Sequence, residues 1–365
     1  VVNWSTSTTL TLSAANNINI NANITATGNT AGLKLFSGGS DASNGGFDAA
    51  LVNLASGKSI TLSGSNPTLY IRNVQYTVIN SLGGQGSTSG TDLQGMQGDL
   101  GGHYALGTDI DASATSTWNS GAGFSPVGGR DSGGGWAPFQ GTLNGLGHSI
   151  SNLYINRPTS TYVGLFGASQ SAFVRDIALI SSSVTGYAQI GSLAGNAGST
   201  DIRNVSASGS VHVAGCGCPS PDSGWAGGLA GIFSGVIDGI SSSVSVSAGS
   251  GAVNVGGLIG INSGTVSNSY STGSISSASL VYYVGGLIGR NQSVVANSYS
   301  TGNVVVGGSA GGGLVGENVG SITDSHATGS ITGGDGFIGG LVGYLADGTV
   351  TNSYASGAVI AGYGG

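Results

Sequence analysis

Apolar residues recur at a nearly constant interval through the C-terminal half of the chain. The phrase Gly-Gly-Leu-Ile-Gly or Gly-Gly-Leu-Val-Gly occurs four times, and weaker versions of it lie upstream. Its leucine, here called the marker leucine, recurs in steps of 28, 36, 29, 29, 27 and 27 residues, at Leu165, Leu193, Leu229, Leu258, Leu287, Leu314 and Leu341. An interval in this range indicates stacked supersecondary units, since each unit can bury its apolar face only against its neighbours.

Within one unit, apolar residues alternate with small polar residues over short runs that glycines interrupt, as at 295–299 and 302–306. This alternation is typical of β-strands that are joined by close turns. Helical repeats are disfavoured because the chain has one Glu and two Lys. One unit has room for about three strands of roughly five residues each. The sequence therefore predicts an all-β fold, a parallel β-solenoid with coils of 27–29 residues in its C-terminal half.

The regularity of the pattern divides the chain into three zones. Residues 1–72 alternate in short runs and predict N-terminal coils, and residues 163–365 contain the regular repeats. Residues 73–162 interrupt the rhythm with long loops, and Thr91–Leu100 is expected to form a helical turn that Thr91 or Asp92 caps. No linker separates the zones, so we expect one continuous solenoid that is a fragment of a longer chain.

A polar column follows the marker leucines by about ten residues. It consists of Asp176, Asn204, Asp238, Asn268, Asn297, Asp324 and Asn352. Two positions before each of these stands a β-branched residue, namely Val174, Ile202, Val236, Val266, Val295, Ile322 and Val350. Stacked amides can hydrogen-bond from coil to coil, and an Asp between Asn donors avoids the repulsion of adjacent carboxylates. We interpret the column as a structural ladder.

A second column, which we call the aromatic column, contains Tyr270, Tyr299, His326 and Tyr354. We expect these rings to point inward, because burial of an aromatic side chain contributes about 2–3 kcal/mol. If a turn at the preceding Asn reverses their direction, the rings form an outer stripe that suits sugar rings. The tyrosines are therefore candidate binding residues.

The step of 36 residues between Leu193 and Leu229 predicts an inserted loop, which contains Cys216, Cys218 and Trp225. Loops on a rigid scaffold often carry function, so Trp225 is a candidate binding residue together with Trp118 and Trp136. The two cysteines are either free thiols or a strained disulfide, and His212 does not complete a zinc-ligand set with them.

Composition narrows the class of function. Glycine accounts for 72 of the 365 residues, charged residues for 6%, and the net charge is −7. An acidic chain with eight scattered cations is a poor binder of nucleic acid or anionic membranes. No apolar run reaches 18 residues, so no membrane insertion is expected. No cofactor or metal motif is present in the sequence.

Parallel β-helices also host enzymes that degrade polysaccharides, and these enzymes need clustered carboxylates. Asp109 and Asp111 are the closest pair, and Arg130, Asp131 and His148 are candidate neighbours. Turn capping explains the same carboxylates without catalysis, so we assign no catalytic residue.

The Gly-Gly-Leu-Val-Gly phrases resemble the GLUG motif. Residues 104–111 and 118–150, with Phe139-Gln140-Gly141-Thr142-Leu143-Asn144-Gly145, are similar to the segment that precedes such repeats in haemagglutinin-like exoproteins of Gram-negative bacteria. The resemblance implies a right-handed β-helix, two-partner secretion through an outer-membrane transporter, and a place outside the cell. It implies a non-catalytic adhesin that binds glycans or a protein receptor through projecting loops. The alternatives are a polysaccharide lyase or glycosidase and a passive stalk.

Overall fold

The structure is a computed structural model that describes residues 1–38, 52–130, 134–215, 224–278, 281–334 and 336–362. Short strands dominate it, and nearly all of them pair in parallel with strands of the preceding and following coils. The prediction of an all-β parallel solenoid is confirmed. The division into zones at residues 72/73 and 162/163 stays a prediction.

The N-terminal coils contain nine strands. They are β1 (Val2–Trp4), β2 (Thr9–Ser13), β3 (Ile18–Ile20), β4 (Ile24–Ala26), β5 (Gly32–Phe36), β6 (Val52–Leu54), β7 (Ile60–Leu62), β8 (Thr68–Ile71) and β9 (Val74–Ile79). Strands β1, β4 and β7 form one parallel sheet, β2, β5 and β8 form a second, and β3 and β6 pair in a third. The alternating apolar residues of these strands fill a separate small core.

The middle region carries short strands and two 3-10 helices. The strands are β10 (His103–Leu106), β11 (Ile110–Asp111), β12 (Gly129–Arg130), β13 (Trp136–Ala137), β14 (Thr142–Asn144), β15 (Ser149–Ser151) and β16 (Tyr154–Val163). The helices are Gln94–Gly98 and Ser113–Gly121. The first helix lies inside the predicted turn Thr91–Leu100, and the Gly95 N–H donates to Asp92 Oδ1 at 2.6 Å.

The N-terminal coils stack directly on this region. The backbone N–H of Ile60 donates to the Leu146 carbonyl at 2.9 Å, and the N–H of Leu62 donates to the Gly107 carbonyl at 2.9 Å. Coil-to-coil hydrogen bonding therefore continues from the N-terminal coils into the middle region.

The next coils contain long strands that bend around corners. These are β17 (Phe166–Gln170), β18 (Phe173–Ile190), β19 (Ala194–Val213), β20 (Trp225–Gly227), β21 (Ala230–Asp238) and β22 (Ser241–Ala248). Strand β18 has 18 residues and β19 has 20 residues, and they pair in parallel with a register shift at one corner.

The last four coils each contain five strands rather than the predicted three, because glycines and left-handed turn residues interrupt the chain every few positions. The first two coils are β23 (Asn254–Gly256), β24 (Ile259–Asn262), β25 (Thr265–Ser267), β26 (Tyr270–Ser271) and β27 (Ile275–Ser277), then β28 (Tyr283–Gly285), β29 (Ile288–Asn291), β30 (Val294–Ala296), β31 (Tyr299–Ser300) and β32 (Val304–Val306). The last two are β33 (Ala310–Gly312), β34 (Val315–Asn318), β35 (Ser321–Thr323), β36 (His326–Ala327) and β37 (Ile331–Gly333), then β38 (Phe337–Gly339), β39 (Val342–Leu345), β40 (Thr349–Thr351), β41 (Tyr354–Ala355) and β42 (Val359–Ala361).

The marker leucines lie directly over one another. The N–H of Leu258 donates to the carbonyl of Leu287 at 2.8 Å, and the N–H of Leu287 donates to that of Leu314 at the same distance. The bond from Leu314 to Leu341 is 2.9 Å long. Their side chains point into the solenoid core, and Leu258, Leu287 and Leu314 are fully buried.

The β-branched column lies beside the marker leucines in the core, except that Val350 of the last coil is 37% exposed. One member of the predicted column needs correction. Strand pairing aligns Ile202 with Ile237 and Ile237 with Val266, so Ile237 belongs to this column rather than Val236. Ile237 is fully buried, whereas Val236 is 39% exposed. The polar column also shifts by one residue in this coil. Asp238 pairs with Ser267, so Gly239 is the residue that aligns with Asn268.

The sequence interpretation missed a buried asparagine ladder. Asn262, Asn291 and Asn318 follow their marker leucines by four residues and are fully buried. Asn262 Nδ2 donates to Asn291 Oδ1 at 2.8 Å, and Asn291 Nδ2 donates to Asn318 Oδ1 at 2.7 Å. The same amides reach backbone groups two residues later, such as Ser293 O at 3.1 Å, so each buried amide is paired.

Candidate ligand-binding groove

The Asn-Ser-Tyr motif forms a corner of the coil. Asn268 has a left-handed backbone, with φ of 50°, and Asn is one of the few residues besides Gly that adopts it readily. This turn reverses the order of inward and outward positions. Ser269 is consequently buried, and Tyr270 points outward and is half-buried.

The buried serines of this motif form a second ladder. The Ser269 N–H donates to Ser298 Oγ at 3.2 Å, and the Ser298 N–H donates to Ser325 Oγ at 3.2 Å. Each hydroxyl in turn donates to the carbonyl two residues earlier, as Ser298 Oγ does to Ala296 O at 2.7 Å. The ladder satisfies backbone groups that the turn removes from regular strand pairing, and it fixes the direction of the neighbouring tyrosines.

The aromatic column is a stack of rings on the outer surface. Ring centroids are 4.8 Å apart between Tyr270 and Tyr299, 5.0 Å between Tyr299 and His326, and 5.1 Å between His326 and Tyr354. The interplanar angles are 3°, 8° and 4°. The expectation that these rings point inward is wrong, because the left-handed Asn turns the chain before them.

The stack does not present a stripe of ring faces. Parallel rings at the coil spacing cover one another, so Tyr299 and His326 expose their edges only. Tyr270 pairs with Ser241 on the preceding coil, and Ser241 has no ring to cover it. One face of Tyr270 is therefore open toward the N-terminal side.

That open face borders a groove along the side of the solenoid. Before Tyr270, the same column holds the small residues Ser241, Ser206 and Ala178. Two adjoining cavities of about 360 Å³ and about 310 Å³ lie over these positions and share Ser206 and Ser241 as lining residues. We call them together the lateral groove. It runs from Lys58 at one end to Tyr270 at the other.

Charges at the N-terminal end of the groove are largely neutralised within the protein. Asp176 is buried and pairs with Arg175, whose Nε lies 2.6 Å from Asp176 Oδ2. Asn204 Nδ2 donates to Asp176 Oδ1 at 3.0 Å. A similar bond of 2.7 Å joins Asn268 to Asp238. Asn297, Asp324 and Asn352 occupy left-handed turns, and their ladder role stays a prediction. The groove is thus polar, with one partly buried cation, Lys58, on its rim.

The candidate tryptophans lie on three separate elements. Trp118 packs on the core and stacks on Phe124, with centroids 6.4 Å apart. Trp136 is 47% exposed and meets Tyr162 edge-on at 5.2 Å. Trp225 lies in β20 with its indole nitrogen buried. None of the three lines the lateral groove within the described residues. Cys216 and Cys218 lie outside the described residues.

The carboxylates considered for catalysis make structural hydrogen bonds. Asp109 Oδ1 accepts from the Ser149 N–H at 2.8 Å and lies 3.3 Å from Nδ1 of the buried His148. Asp111 Oδ1 accepts from the Ser113 N–H at 2.9 Å and from Asn152 Nδ2 at 3.0 Å. Asp131, beyond the end of β12, lies outside the described residues. Among the described residues, no group of three or more His, Cys, Asp or Glu side chains is placed to hold a metal ion.

The pKa of Asp109 lies below its usual value. Partial burial raises this pKa, but hydrogen bonds from Ser149 and the neighbouring His148 lower it further than burial raises it. The carboxylate therefore stabilises the fold above its unfolded-state pKa of about 3.9, and this contribution is lost as pH falls through the lower folded-state pKa.

We expect Asp109→Asn to reduce the acid sensitivity of the protein. Thermal unfolding monitored by circular dichroism at pH 5 and pH 2.5 should show a smaller drop in melting temperature for the variant than for the parent chain. The difference should be modest, because Asp109 is largely exposed. Equal drops in both proteins would contradict the assigned role of Asp109.

Comparison with known proteins identifies the C-terminal repeats. Residues 281–305, 307–332 and 338–360 match the family described as the GLUG motif. Each matched stretch corresponds to one coil, β28–β32, β33–β37 or β38–β42. In the described part of the chain, no helix is long and apolar enough to cross a bilayer.

Two curated proteins show similarity over part of the chain. Halomucin from Haloquadratum walsbyi is 48% identical over 115 residues, which cover 30% of this chain and 1% of halomucin. A protein of Evansella cellulosilytica that carries the provisional name Gly-rich membrane protein is 34% identical over 98 residues, which cover 26% of this chain and 11% of that protein. The chain therefore spans a small part of both relatives.

A solved structure shares the fold. It is a Bacteroides ovatus protein provisionally assigned as an immunoglobulin A1 protease, with a TM-score of 0.55 and 22% identity, and the match covers 78% of this chain and 84% of that one. At this identity the likeness concerns the fold alone. The resemblance to GLUG repeats is confirmed for the C-terminal coils, and the haemagglutinin-like, two-partner type stays a prediction. The C-terminal coils of this β-solenoid carry GLUG motif repeats.

Proposed function

We propose that this chain is a segment of a secreted or cell-surface β-solenoid that binds glycans and catalyses no reaction. The observation that carries the proposal is the lateral groove, a concave polar surface that ends on an open aromatic face. Ligand sites are typically concave and combine apolar surface with a few polar groups. Glycans have the same mixed character, with hydroxyls around the edge of each ring and C–H groups on its faces.

The rest of the surface supports a role outside the cell. The coils bury their aliphatic columns and expose serine, threonine, asparagine and glycine, and the groove lies on this rigid frame rather than on a projecting loop. The names of halomucin and of the Gly-rich membrane protein point the same way, although the chain covers 1% and 11% of these relatives. Export through an outer-membrane transporter of a Gram-negative bacterium remains part of the proposal.

A glycan array probed with the labelled chain tests the proposal. We expect binding to a restricted set of glycans, and no release of reducing or unsaturated sugar ends when the chain is incubated with the polysaccharides that carry them. Binding to no glycan would contradict the proposal and favour a passive stalk. Release of such ends, lost in Asp111→Ala, would instead favour a lyase or glycosidase.

Cell binding separates a glycan from a protein receptor. Mild periodate oxidation of target cells cleaves the vicinal diols of sugars and leaves most of the polypeptide intact. We expect this treatment to abolish adhesion of the chain. Adhesion that survives periodate and disappears after protease treatment would assign the receptor to protein.

A further inference from the structure

The aromatic column ends at Tyr270 in the middle of the solenoid. The strand pairing aligns one surface position through eight successive coils. The last four coils carry the rings of the aromatic column at this position, and the first four carry Ser149, Ala178, Ser206 and Ser241. With a coil spacing of about 4.8 Å, the space between the open Tyr270 face and the level of Ser206 is about 10 Å. This space is wide enough for one sugar ring together with its substituents.

The walls of this space have free hydrogen-bonding groups. The hydroxyls of Ser206 and Ser241 line the groove and form no hydrogen bond to another described residue. Their neighbours differ, since Ser242 Oγ donates to Gly257 O at 2.8 Å and Ser208 Oγ accepts from the Ser181 N–H at 3.0 Å. The hydroxyls of Ser206 and Ser241 are thus available to a ligand in the groove.

We propose that the Tyr270 face is the floor of a subsite for one pyranose ring, which takes the position of the next ring in the stack. This inference rests on the proposed glycan-binding function. The C–H face of the sugar packs on Tyr270, and its hydroxyls exchange hydrogen bonds with Ser241 and Ser206. Tyrosine is common at binding surfaces because its ring provides an apolar face for packing while its hydroxyl remains in contact with water.

The geometry also sets the direction of the bound glycan. The rings of the stack are parallel to one another and follow each other along the solenoid axis. A sugar ring parallel to Tyr270 therefore lies across this axis. An equatorial glycosidic bond, as in a β-glucoside, leaves the ring close to its own plane, so a glycan linked in this way crosses the solenoid rather than following it. The subsite accordingly holds one unit of such a glycan.

Ser241→Tyr is the decisive variant. The new ring would extend the aromatic stack by one member and fill the subsite, so binding should be lost while the fold is retained or stabilised. Ser241→Ala is the matched control, which keeps the space open and removes one hydroxyl. The probes are the methyl β-pyranosides of glucose, galactose, N-acetylglucosamine and N-acetylgalactosamine, each at millimolar concentration, observed by saturation-transfer difference NMR.

We expect at least one of the four probes to bind the parent chain, and Ser241→Tyr and Tyr270→Ala each to weaken that binding at least tenfold. Ser241→Ala should weaken it less than fivefold. Tyr354→Ala removes the ring at the other end of the stack and should leave binding unchanged. Thermal unfolding of Ser241→Tyr at or above the parent's melting temperature shows that lost binding is not lost folding.

Two results would overturn the inference. One is equal probe binding by Ser241→Tyr and the parent chain, and the other is a loss of binding in Tyr354→Ala but not in Tyr270→Ala. If glycan-array binding persists equally in the parent and in Ser241→Tyr, the subsite is wrong and the glycan-binding function stands elsewhere on the molecule. If the parent binds neither the array nor the probes, the function itself fails.

Discussion

Replacing Gly289 with alanine should destabilise the protein by about 3 kcal/mol and lower its apparent melting temperature by roughly 6–12 °C. A Cβ at this position would lie 2.6 Å from the Val255 nitrogen, 2.7 Å from the Gly260 oxygen and 2.9 Å from the Asn254 carbonyl carbon. All three are backbone atoms of the coil below. They cannot move without displacing a strand, so the added methyl group must separate two coils.

The matched control is Gly334→Ala. Apart from the two residues next to it in the chain, no described residue has a heavy atom within 4 Å of a Cβ built on Gly334, and its φ is not in the left-handed range. We expect its unfolding free energy to stay within about 0.5 kcal/mol of the parent value. Thermal and urea unfolding measure both variants. If Gly289→Ala has the same unfolding free energy as Gly334→Ala, the close contact between the backbones of successive coils at the Gly-Gly-Leu-Ile-Gly phrase is contradicted.

Replacing Asn291 with aspartate should cost about 3 kcal/mol at pH 7, because it places an ionised carboxylate inside the asparagine ladder. The new carboxylate keeps the acceptor for Asn262 but loses the donor to Asn318 Oδ1 and Ser293 O. It would face Asn318 Oδ1, which loses the donor it has in the parent chain, and Ser293 O, which keeps the Ser321 N–H at 2.8 Å. Burial and these oxygens raise the folded-state pKa of the new carboxyl group above its unfolded value of about 3.9.

The sign of the pH dependence follows from this raised pKa. Above the folded-state pKa the penalty is complete, and it shrinks as the pH falls and the carboxyl group takes up a proton. The protonated group can again donate to Asn318. Unfolding of Asn291→Asp should therefore approach that of the parent chain between about pH 7 and pH 4. A penalty that does not change over this pH range would contradict the buried ladder.

Asn303→Asp is the control for this change. Asn303 is exposed, and its Oδ1 only accepts, from the Ser330 N–H at 3.1 Å and from Ser330 Oγ at 2.9 Å. A carboxylate can accept both bonds in water. We expect a change within about 0.5 kcal/mol at pH 7.

Much of the architecture could be predicted from the spacing of the marker leucines. A coil buries its leucine only against the leucines above and below it, so stacking imposes a constant interval on the sequence. The structure confirms this with direct backbone hydrogen bonds between Leu258, Leu287 and Leu314. The number of strands per coil could not be predicted as easily, because short interruptions at Gly and Asn leave the alternation nearly intact.

The misassigned coil has a specific physical cause. Both Gly and Asn adopt the left-handed turn, but only Asn marks it with a polar side chain in the sequence. In the coil of Leu229 the turn residue is Gly239, with φ of 69°, and the polar residue next to it is Asp238. This shift by one position exchanged the buried Ile237 for the exposed Val236.

The candidate site shows a similar division between what could and could not be predicted. The aromatic column was visible in the sequence, but its direction depends on the backbone at Asn268, which a count of positions does not give. The lateral groove left a weaker signal, since Ser206 and Ser241 are ordinary residues in a serine-rich chain. The buried ladder could have been found, because Asn262, Asn291 and Asn318 share the same offset from their marker leucines.

The parallel register between successive coils is tested most directly by engineered disulfides. Ser276 pairs with Val305 on the next coil, and both are exposed. In a background where Cys216 and Cys218 are replaced by serine, Ser276→Cys with Val305→Cys should form an intramolecular disulfide under mild oxidation, since paired strands lie about 4.8 Å apart. Ser276→Cys with Asn303→Cys is two residues out of register, about 8 Å apart, and should not. Mass spectrometry of the monomer measures both, and equal or reversed yields would contradict the stacked-coil solenoid on which the groove depends.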